Sequence, residues 1–589
     1  MSGDAVSSRG YPRPLLRRAQ WVSLDGEWDF AGDPERQWLL PAEVIWAERI
    51  RVPFAPETAA SGVDRTEYLP RCWYRTTVTP PPSQGPLHIH FGAVDYHATV
   101  WIDGELRGRH EGGYTPFTID ATPAARAAAG QPIEIVVRVD DDPHDLSKPR
   151  GKQDWQLDPH SIWYHRTTGI WQQVWVEPLP PTWIAALRWR ASLLNWEIRL
   201  HAGIGGDLSR PLSLRVRLSH AGRLLSGDTY SVVTEELSRG ITLTDPGIDD
   251  FRNELLWSPG SPSIIEAELE LLDEAGRVVD HVFSYTALRE VAVSGDRFTL
   301  NGRAYPLRLV LDQGYWPDSG MTAPSDEALR RDVELALAMG FNGVRKHQKV
   351  EDPRYLYWAD HLGLLVWAEM PSAYRFTADS VRRLTVQWME VLERDGSHPC
   401  IVSWVPFNES WGVPNLPNEA SHRHYVRALY HLTRTLDPSR PVVGNDGWES
   451  VATDIIGIHD YDASPEAMRE RYRSDEVLPR LFRRERPGGR VLVLEGHTQP
   501  DQPIVLSEFG GIACSRGDNW SWGYSRCHTE AELQERFAQL MAVVTRLNVF
   551  AGFCYTQFAD TYQEANGLLY DDRTPKMPLA EIAAAVRGR

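Results

Sequence analysis

The chain contains 589 residues, of which 42% are apolar and 24% are charged. This balance, with 45 glycines and 42 prolines, is typical of a globular protein rich in turns and excludes a disordered or fibrous chain. The length predicts about three or four domains. A formal net charge of −18 argues against nucleic acid and membrane surfaces as partners, because both attract basic patches. It does not exclude an acidic small substrate, for which one local Arg or Lys would suffice.

Targeting and redox signals in the sequence are few. The first ten residues lack a basic segment followed by an apolar run, which predicts no secretory signal, and no stretch is apolar enough to span a bilayer. The five cysteines are odd in number and scattered, a pattern that favours free thiols in a reducing compartment. We therefore expect a cytoplasmic protein. The cysteines are Cys72, Cys400, Cys514, Cys527 and Cys554.

The first 290 residues predict two domains of antiparallel strands. In residues 1–180, short runs such as 87–91 and 98–102 alternate apolar and polar side chains, and the second run is closed by Asp103-Gly104, a hairpin signal. We interpret this region as a jelly-roll sandwich. Residues 181–290 contain the period-2 runs 212–218 and 265–271, which suit an immunoglobulin-like β-sandwich.

Residues 291–589 alternate strands with amphipathic helices, including predicted helices over 326–339 and 378–395. This alternation predicts βα units around a parallel sheet, and eight units in this length match a (β/α)8 TIM barrel. The predicted strands are 306–312, 343–347, 364–369, 401–408, 442–445, 455–460, 504–508 and 552–557.

Two glutamates end buried strands of the predicted barrel. Glu409 follows the fourth strand directly after Asn408, and Glu508 ends the seventh. Active sites of TIM barrels lie at the C-terminal ends of the strands, and retaining cleavage of a glycosidic bond needs two carboxyl groups about 5–5.5 Å apart. We therefore predict Glu409 as general acid/base and Glu508 as nucleophile of a double displacement. Asn408 could donate to the sugar 2-hydroxyl, and Trp411 is placed to desolvate the acid and contact the substrate.

Several segments resemble glycoside hydrolase family 2, the family of β-galactosidases, β-glucuronidases and β-mannosidases. The resemblance covers nearly the whole chain and implies the same domain order: a sugar-binding-like jelly roll, an immunoglobulin-like sandwich and a catalytic barrel. It also implies the roles of Asn408-Glu409 and Glu508, and it implies that Tyr461 hydrogen-bonds the nucleophile. The segments are 24–28, 91–96, 112–117, 168–175, 340–347 and 359–363.

Other strand-end residues are candidates for substrate binding. Arg345 is expected to orient Glu508 and lower its pKa, with a structural role in the barrel core as the alternative. Asp312 ends the first strand and could bind a sugar hydroxyl. His347 and His459 end the second and sixth strands, where sugar binding and structural hydrogen bonding are equally consistent with the pattern. Tyr555 of the eighth strand, where many β-galactosidase relatives have Trp, is predicted to form an aromatic floor for the sugar.

The leading hypothesis is an exo-acting β-glycosidase, with galactose as the predicted terminal sugar. The alternative is a β-glucuronidase or β-galacturonidase, although the Asn-x-Lys motif of glucuronidase relatives is missing between residues 560 and 573. Lys346 and Lys152 are the sequence candidates for a cation facing a sugar carboxylate. Lys152 lies in a polar first-domain segment that could reach over the barrel mouth.

The predicted partner is an oligosaccharide or glycoside substrate. No spacing of His or Cys suggests a metal site, and the carboxylate mechanism needs no cofactor, so none is predicted. A homo-oligomer is consistent with the resemblance. A carbohydrate-binding protein without catalysis is a further alternative, but a binding site has no need of a mutually repelling pair such as Glu409 and Glu508.

Overall fold

The structure is a computed structural model that describes residues 9–243, 253–473, 490–494, 501–516 and 521–588. Two groups of antiparallel strands are followed by strands that alternate with helices. None of the helices in the described ranges is long and apolar enough to cross a membrane. The cysteines are all buried, unpaired thiols.

The first strand group forms a four-stranded sheet (order β1-β12-β5-β9) and a six-stranded sheet (order β3-β2-β4-β10-β7-β8), with β6 and β11 paired separately. Apolar side chains from both large sheets make one core, including Ile89 from the smaller sheet and Val100 from the larger. The hairpin predicted at Asp103-Gly104 is present, and both residues have the positive φ that such a turn requires. The elements are β1 (Val22–Ser23), β2 (Gly26–Gly32), β3 (Glu48–Val52), β4 (Arg71–Val78), β5 (Leu87–Phe91), β6 (Val94–Asp95), β7 (His97–Ile102), β8 (Glu105–Glu111), β9 (Phe117–Asp120), α1 (Thr122–Ala128), β10 (Ile133–Asp140), β11 (Gly169–Ile170) and β12 (Val174–Pro178).

The second strand group forms a three-stranded sheet (β13-β14-β17) and a four-stranded sheet (β16-β15-β18-β19). Strand β15 shows the predicted period of two, because Leu212, Leu214, Val216 and Leu218 are buried in the core while the residues between them are not. The jelly-roll and immunoglobulin-like assignments and the boundaries at 180 and 290 stay predictions. The strands are β13 (Thr182–Ser192), β14 (Glu197–Gly206), β15 (Leu212–His220), β16 (Arg223–Val232), β17 (Glu236–Thr242), β18 (Ile265–Leu272) and β19 (Val278–Thr286).

The third region begins with a small antiparallel sheet of β20 (Val291–Ser294), β21 (Arg297–Leu300) and β22 (Arg303–Ala304) and continues into a parallel barrel. Seven barrel strands pair in the order β26-β25-β24-β23-β31-β28-β27. A short pair, β29 (Ile512–Ala513) and β30 (Ser525–Arg526), follows the seventh barrel position. The barrel strands are β23 (Leu307–Asp312), β24 (Gly343–Lys346), β25 (Leu365–Glu369), β26 (Ile401–Val405), β27 (Ile456–Asp460), β28 (Ile504–Gly510) and β31 (Gly552–Thr556).

The predicted fifth strand, 442–445, is wrong as a regular strand. This segment lies beside β26 through single parallel bridges of Val442 with Trp404 and of Asp446 with Asn408. On its other side it bonds to the loop that follows it, because Asp454 N donates to Val442 O at 2.8 Å. The segment therefore fills the fifth position of the barrel without forming a ladder to β27.

Helices surround the barrel, and side chains cap the N-termini of several of them. Ser325 accepts from Ala328 N, and Thr377 forms a capping box with Ser380. The predicted helices 326–339 and 378–395 are present to within one residue. The helices are α2 (Asp326–Ala338), α3 (Pro353–Leu362), α4 (Ala378–Asp395), α5 (Ala420–Leu436), α6 (Pro465–Tyr472), α7 (Glu530–Val544) and α8 (Leu579–Val586).

A segment of the first domain, residues 148–165, reaches the C-terminal ends of the barrel strands; we call it the first-domain loop. The backbone N–H groups of Arg150 and Gly151 donate to Ser372 O at 3.0 and 3.2 Å. On the opposite side, Gln563 Nε2 donates to the carbonyls of Ser161 and Trp163 at 2.9 and 2.7 Å. The barrel mouth is therefore bounded in part by another domain.

Candidate active site

Arg345 is the centre of the charged network inside the barrel. It lies on β24, and its side chain is fully buried. Burial lowers the pKa of a guanidinium, but the surrounding carboxylates raise the pKa of Arg345 well above its usual range. The guanidinium therefore links residues at the C-terminal ends of four barrel strand positions. Its partners are Glu508 Oε1 at 2.8 Å, Glu369 Oε2 at 2.7 Å, Asp446 Oδ2 at 2.8 Å and Asn408 Oδ1 at 2.7 Å.

Glu508 is held ionised by the groups around it. Tyr461 donates its hydroxyl proton to Oε2 at 2.6 Å, while Arg345 binds Oε1. Burial by itself raises the pKa of this carboxyl, but the charges of His459 and Arg345 with the Tyr461 hydrogen bond bring the pKa of Glu508 below its ordinary value. A carboxylate that is ionised and fixed on both oxygens has the properties of a nucleophile.

Glu409 lies on the turn that follows β26, where it and Ser410 have φ of 49° and 59°. Left-handed φ values at non-glycine residues are strained and cluster at functional sites. His459 Nδ1 donates to Glu409 Oε1 at 2.8 Å, and its Nε2 lies 3.3 Å from Glu508 Oε1. Burial lowers the pKa of His459, but Glu508, Asp446 and Glu409 together raise it to about 10. A protonated imidazole thus bridges the two glutamates.

The spacing of the two glutamates fits a retaining mechanism. One carboxylate oxygen of Glu409 and one of Glu508 lie within 4.8 Å of each other, together with a ring nitrogen of His459. Retaining glycosidases hold their carboxyl groups about 5–5.5 Å apart, whereas inverting enzymes need about 6.5–9.5 Å for a water molecule. The same three side chains also have the spacing of a metal site. The absence of a cofactor stays a prediction.

Asn408, His347 and Trp411 complete the mouth. Asn408 Oδ1 is fixed by Arg345, while its buried Nδ2 is a donor without a hydrogen-bond partner among the described residues. His347 Nδ1 lies 3.1 Å from Glu369 Oε1. The centroids of the His347 and Trp411 rings are 6.4 Å apart. These three predicted residues therefore lie together with the glutamates.

Trp411 belongs to an aromatic wall built by two domains. The wall consists of Trp155 and Trp163 from the first-domain loop and Tyr374 and Trp411 from the barrel. Trp163 stacks on Trp411 with centroids 6.3 Å apart and donates from Nε1 to Tyr374 Oη at 2.8 Å. Lys152 Nζ lies 5.2 Å from the centroid of the Trp411 ring. The prediction that this segment could reach the barrel mouth is confirmed by these contacts.

Two predicted substrate residues lie elsewhere. Asp312 binds Lys346 Nζ at 2.7 Å, and this lysine lies 4.3 Å from the ring of Tyr355 in helix α3, so both charges face the helix layer. Tyr555 contacts Phe537 of helix α7 at 5.0 Å between ring centroids. Alternation along β31 places Cys554 and Thr556 inward and turns Tyr555 outward, so it forms no floor for a sugar.

Besides Trp155, Trp163 and Tyr374 of the aromatic wall, three residues close to the two glutamates were missed in the sequence. Glu369 ends β25 and binds both Arg345 and Gln348, the latter at 2.6 Å. Asp446 follows the predicted fifth strand directly. Both are acidic residues at the end of a barrel strand, the signal that found Glu409 and Glu508. Tyr524 stacks on Tyr461 with centroids 3.3 Å apart, and no pattern in the sequence indicated it.

Comparison with known proteins agrees with this geometry. The family model "Glycosyl hydrolases family 2, TIM barrel domain" matches residues 291–587. The chain belongs to glycoside hydrolase family 2. This family membership is the assignment that the resemblance implied.

Relatives in the family differ in the sugar that their names specify. A β-galactosidase from Thermoanaerobacter pseudethanolicus is 28% identical over 61% of this chain and 46% of its own length. A putative β-glucuronidase from Formosa agariphila is 27% identical over 60% of this chain and 41% of its own length. The chain thus spans less than half the length of these curated relatives.

A solved family 2 structure matches almost end to end. The β-galacturonidase from Eisenbergiella tayi bound to galacturonate has a TM-score of 0.76 at 18% identity, covering 98% of this chain and 99% of that one. At this identity the likeness shows the multidomain fold and not the substrate.

Proposed function

We propose that this family 2 protein is a retaining exo-β-glycosidase that works by double displacement. The observation that carries the proposal is the pair of carboxyl groups within 4.8 Å, each on a different strand end and each fixed by a charged partner. Glu508 is the nucleophile because Arg345 and Tyr461 bind both of its oxygens. Glu409 is the general acid/base, reached by the Nδ1 proton of His459.

In the first step, the Glu508 carboxylate attacks the anomeric carbon as the bond from this carbon to the leaving oxygen breaks, and Glu409 in its protonated form gives its proton to that oxygen. In the second step, Glu409 takes a proton from water, which attacks the same carbon and releases Glu508. The Nδ2 amide of Asn408 is placed to donate to the sugar 2-hydroxyl in both steps, a hydrogen bond that strengthens as positive charge develops on the ring.

Two classes of terminal sugar are candidates. The sequence predicted galactose, and the T. pseudethanolicus relative is a β-galactosidase. The second candidate is a uronic acid. It is supported by the likeness to the E. tayi β-galacturonidase and by the lysine at the Trp411 side of the mouth.

The test is turnover of nitrophenyl β-glycosides by wild type, Glu508→Gln and Glu390→Gln. Glu390 lies on helix α4 and bonds Thr115 at 2.6 Å, so it is a carboxyl control remote from the barrel mouth. We expect at least about a 10³-fold loss of kcat in Glu508→Gln, because no covalent intermediate forms, and less than about a twofold change in Glu390→Gln.

Azide identifies the role of each glutamate. Azide replaces the missing carboxylate on its own face of the sugar, so Glu508→Ala should yield the α-glycosyl azide and Glu409→Ala the β-glycosyl azide, as read by proton NMR. Equal loss in both Gln variants, or azide products of the opposite anomeric form, would overturn these roles.

A further inference from the structure

All five lysines of this chain are buried, and four of them pair with a carboxylate. Each of the five is at most 5% exposed. Burying an ammonium group is unfavourable unless an opposite charge compensates it. The four partners are Asp141 for Lys148, Asp312 and Glu351 for Lys346, Glu351 for Lys349 and Asp560 for Lys576.

Lys152 is the exception. Among the described residues its Nζ makes no ion pair and no hydrogen bond. This atom lies over the Trp411 ring, 5.2 Å from the ring centroid. A cation over an aromatic face gains some attraction, but this does not neutralise its charge. A lysine that is only 5% exposed and has no counter-charge among the described residues, at the mouth of a candidate active site, indicates that an anionic ligand supplies the charge.

The backbone around Lys152 is rigid. Arg150 binds the carbonyls of Pro143, Gln153 and Asp154 at 2.8 to 2.9 Å, and Tyr164 N donates to Lys152 O at 2.8 Å. A Cβ on Gly151 would lie 2.2 Å from Gln348 O. The first-domain loop is therefore seated against the barrel, and the side chain of Lys152 is delivered to a fixed place.

The other cations of the mouth are already engaged. Arg345 binds three carboxylates and Asn408, and His459 lies between Glu409 and Glu508. The mouth is rich in negative charge, which repels an anionic substrate. In the described part of the mouth, Lys152 is thus a positive group left to receive an acidic part of a substrate whose anomeric carbon lies at Glu508.

We propose that Lys152 binds a carboxylate of the substrate and that the terminal sugar is a β-linked uronic acid. This inference rests on the proposed glycosidase function and names its substrate class. An acidic group on the leaving part of the substrate has the same chemistry, and the experiment separates the two sources.

The experiment measures kcat/KM of wild type, Lys152→Met and Lys152→Arg on three kinds of substrate. The first kind is nitrophenyl β-galacturonide and β-glucuronide, with the carboxylate on the sugar. The second is nitrophenyl β-galactoside and β-glucoside, which are neutral. The third is 4-carboxyphenyl β-galactoside, with the carboxylate on the leaving group. Melting temperatures of the variants show whether they fold.

We expect wild type to prefer a uronide. A hydrogen bond to a charged group is worth roughly a 10- to 100-fold change in kcat/KM, so Lys152→Met should lose about that factor on the uronide and change less than about threefold on neutral sugars. Lys152→Arg should recover part of the loss, because it keeps the charge.

Three outcomes overturn the inference while the glycosidase function stands: turnover of neutral sugars without uronides, an equal loss on all substrates in Lys152→Met, or a dependence on Lys152 confined to the carboxyphenyl galactoside. If no glycoside is turned over, the proposed function fails instead. Calorimetric binding of galacturonate against galactose to wild type and Lys152→Met then decides the carboxylate site by itself: tighter binding of galacturonate that is lost in Lys152→Met supports it, and equal binding overturns it.

Discussion

At the scale of single residues, Arg345 and His459 fix the positions of the two glutamates. Arg345 binds Glu508 from below the mouth, and His459 reaches both Glu409 and Glu508. Because two cations face four carboxylates here, every hydrogen bond to Glu508 affects its charge and orientation. Tyr461 is the neutral member of this group, so its removal changes the hydrogen bonding without removing a charge.

Tyr461→Phe should lower kcat by about 10- to 100-fold, because a hydrogen bond to a carboxylate contributes about 1.5–3 kcal/mol. Tyr555→Phe is the control. The Tyr555 hydroxyl is buried without a partner in the described part of the chain, so its loss should leave kcat within about twofold and the unfolding midpoint unchanged or higher. Steady-state kinetics on the preferred nitrophenyl glycoside measures both, and equal effects of the two variants would contradict the assignment of Tyr461.

His459 should make stability depend on pH in the alkaline range. Its pKa is raised from 6.5 to about 10 in the folded state, so the stabilisation is fully present below about pH 6.5 and is lost as the pH rises through about 10. The difference in free energy of unfolding between wild type and His459→Gln should shrink across this range in urea titrations. A difference that stays constant across this range would contradict the charge assigned to His459.

The first-domain loop is the element that joins the sandwich to the site. Gly151 has φ of +60°, and a Cβ there would meet Gln348 O, the residue whose side chain donates to Glu369. Glu369 in turn binds Arg345. A change at Gly151 therefore reaches Glu508 through four successive contacts, although Gly151 belongs to another domain.

Gly151→Ala should reduce kcat/KM by at least about tenfold, because misplacing groups around a reacting centre is costly to the rate. Gly104→Ala is the matched control, since Gly104 also has positive φ, +78°, but a Cβ there meets nothing within 4 Å. In urea unfolding, both variants should lose roughly 1 kcal/mol of stability from left-handed backbone strain, and Gly151→Ala should lose more because its Cβ meets Gln348 O. Unchanged kinetics in Gly151→Ala would show that the loop does not position the site.

At the scale of the whole molecule, part of the first domain packs into the apolar core of the barrel. Tyr114, Tyr164 and Trp171 of the first domain are buried in the same cluster as the barrel strands. Charged contacts lie at its edge, where Arg383 of helix α4 bonds Glu111 and Asp145 of the first domain, each at 2.7 Å. The two domains should therefore unfold together.

Arg383→Met should destabilise the protein by about 1–3 kcal/mol, because the Arg383 side chain is only 13% exposed and its acidic partners lose their counter-charge. Arg382 binds the same Glu111 but its side chain is 53% exposed, so Arg382→Met should cost about 0–1 kcal/mol. Urea unfolding followed by tryptophan fluorescence compares them. Equal effects of the two variants, or separate transitions for the two domains, would contradict this account of the interface.

The sequence by itself determined the strand-rich first half, the barrel and both glutamates, because these depend on periodicity and on residues at strand ends, which are local patterns. Alternation along β15 and the helix at 378–395 needed no tertiary information. The same rule of acidic residues at strand ends would also have found Glu369 and Asp446, had it been applied to every strand.

Only the tertiary structure decided which side chains face the site. Asp312 ends β23 and Tyr555 lies one residue before the end of β31, so both are close to the barrel mouth in sequence. A shift of one residue along a strand, however, turns a side chain from the barrel interior to the helix layer. Whether residues 442–445 form a regular strand depended on the partners of their backbone groups on the side away from β26, which are in the loop that follows this segment and not in β27. Lys152 and Trp163 come from another domain, more than 200 residues from Trp411, and no local pattern shows that the chain folds back to place a lysine beside Trp411.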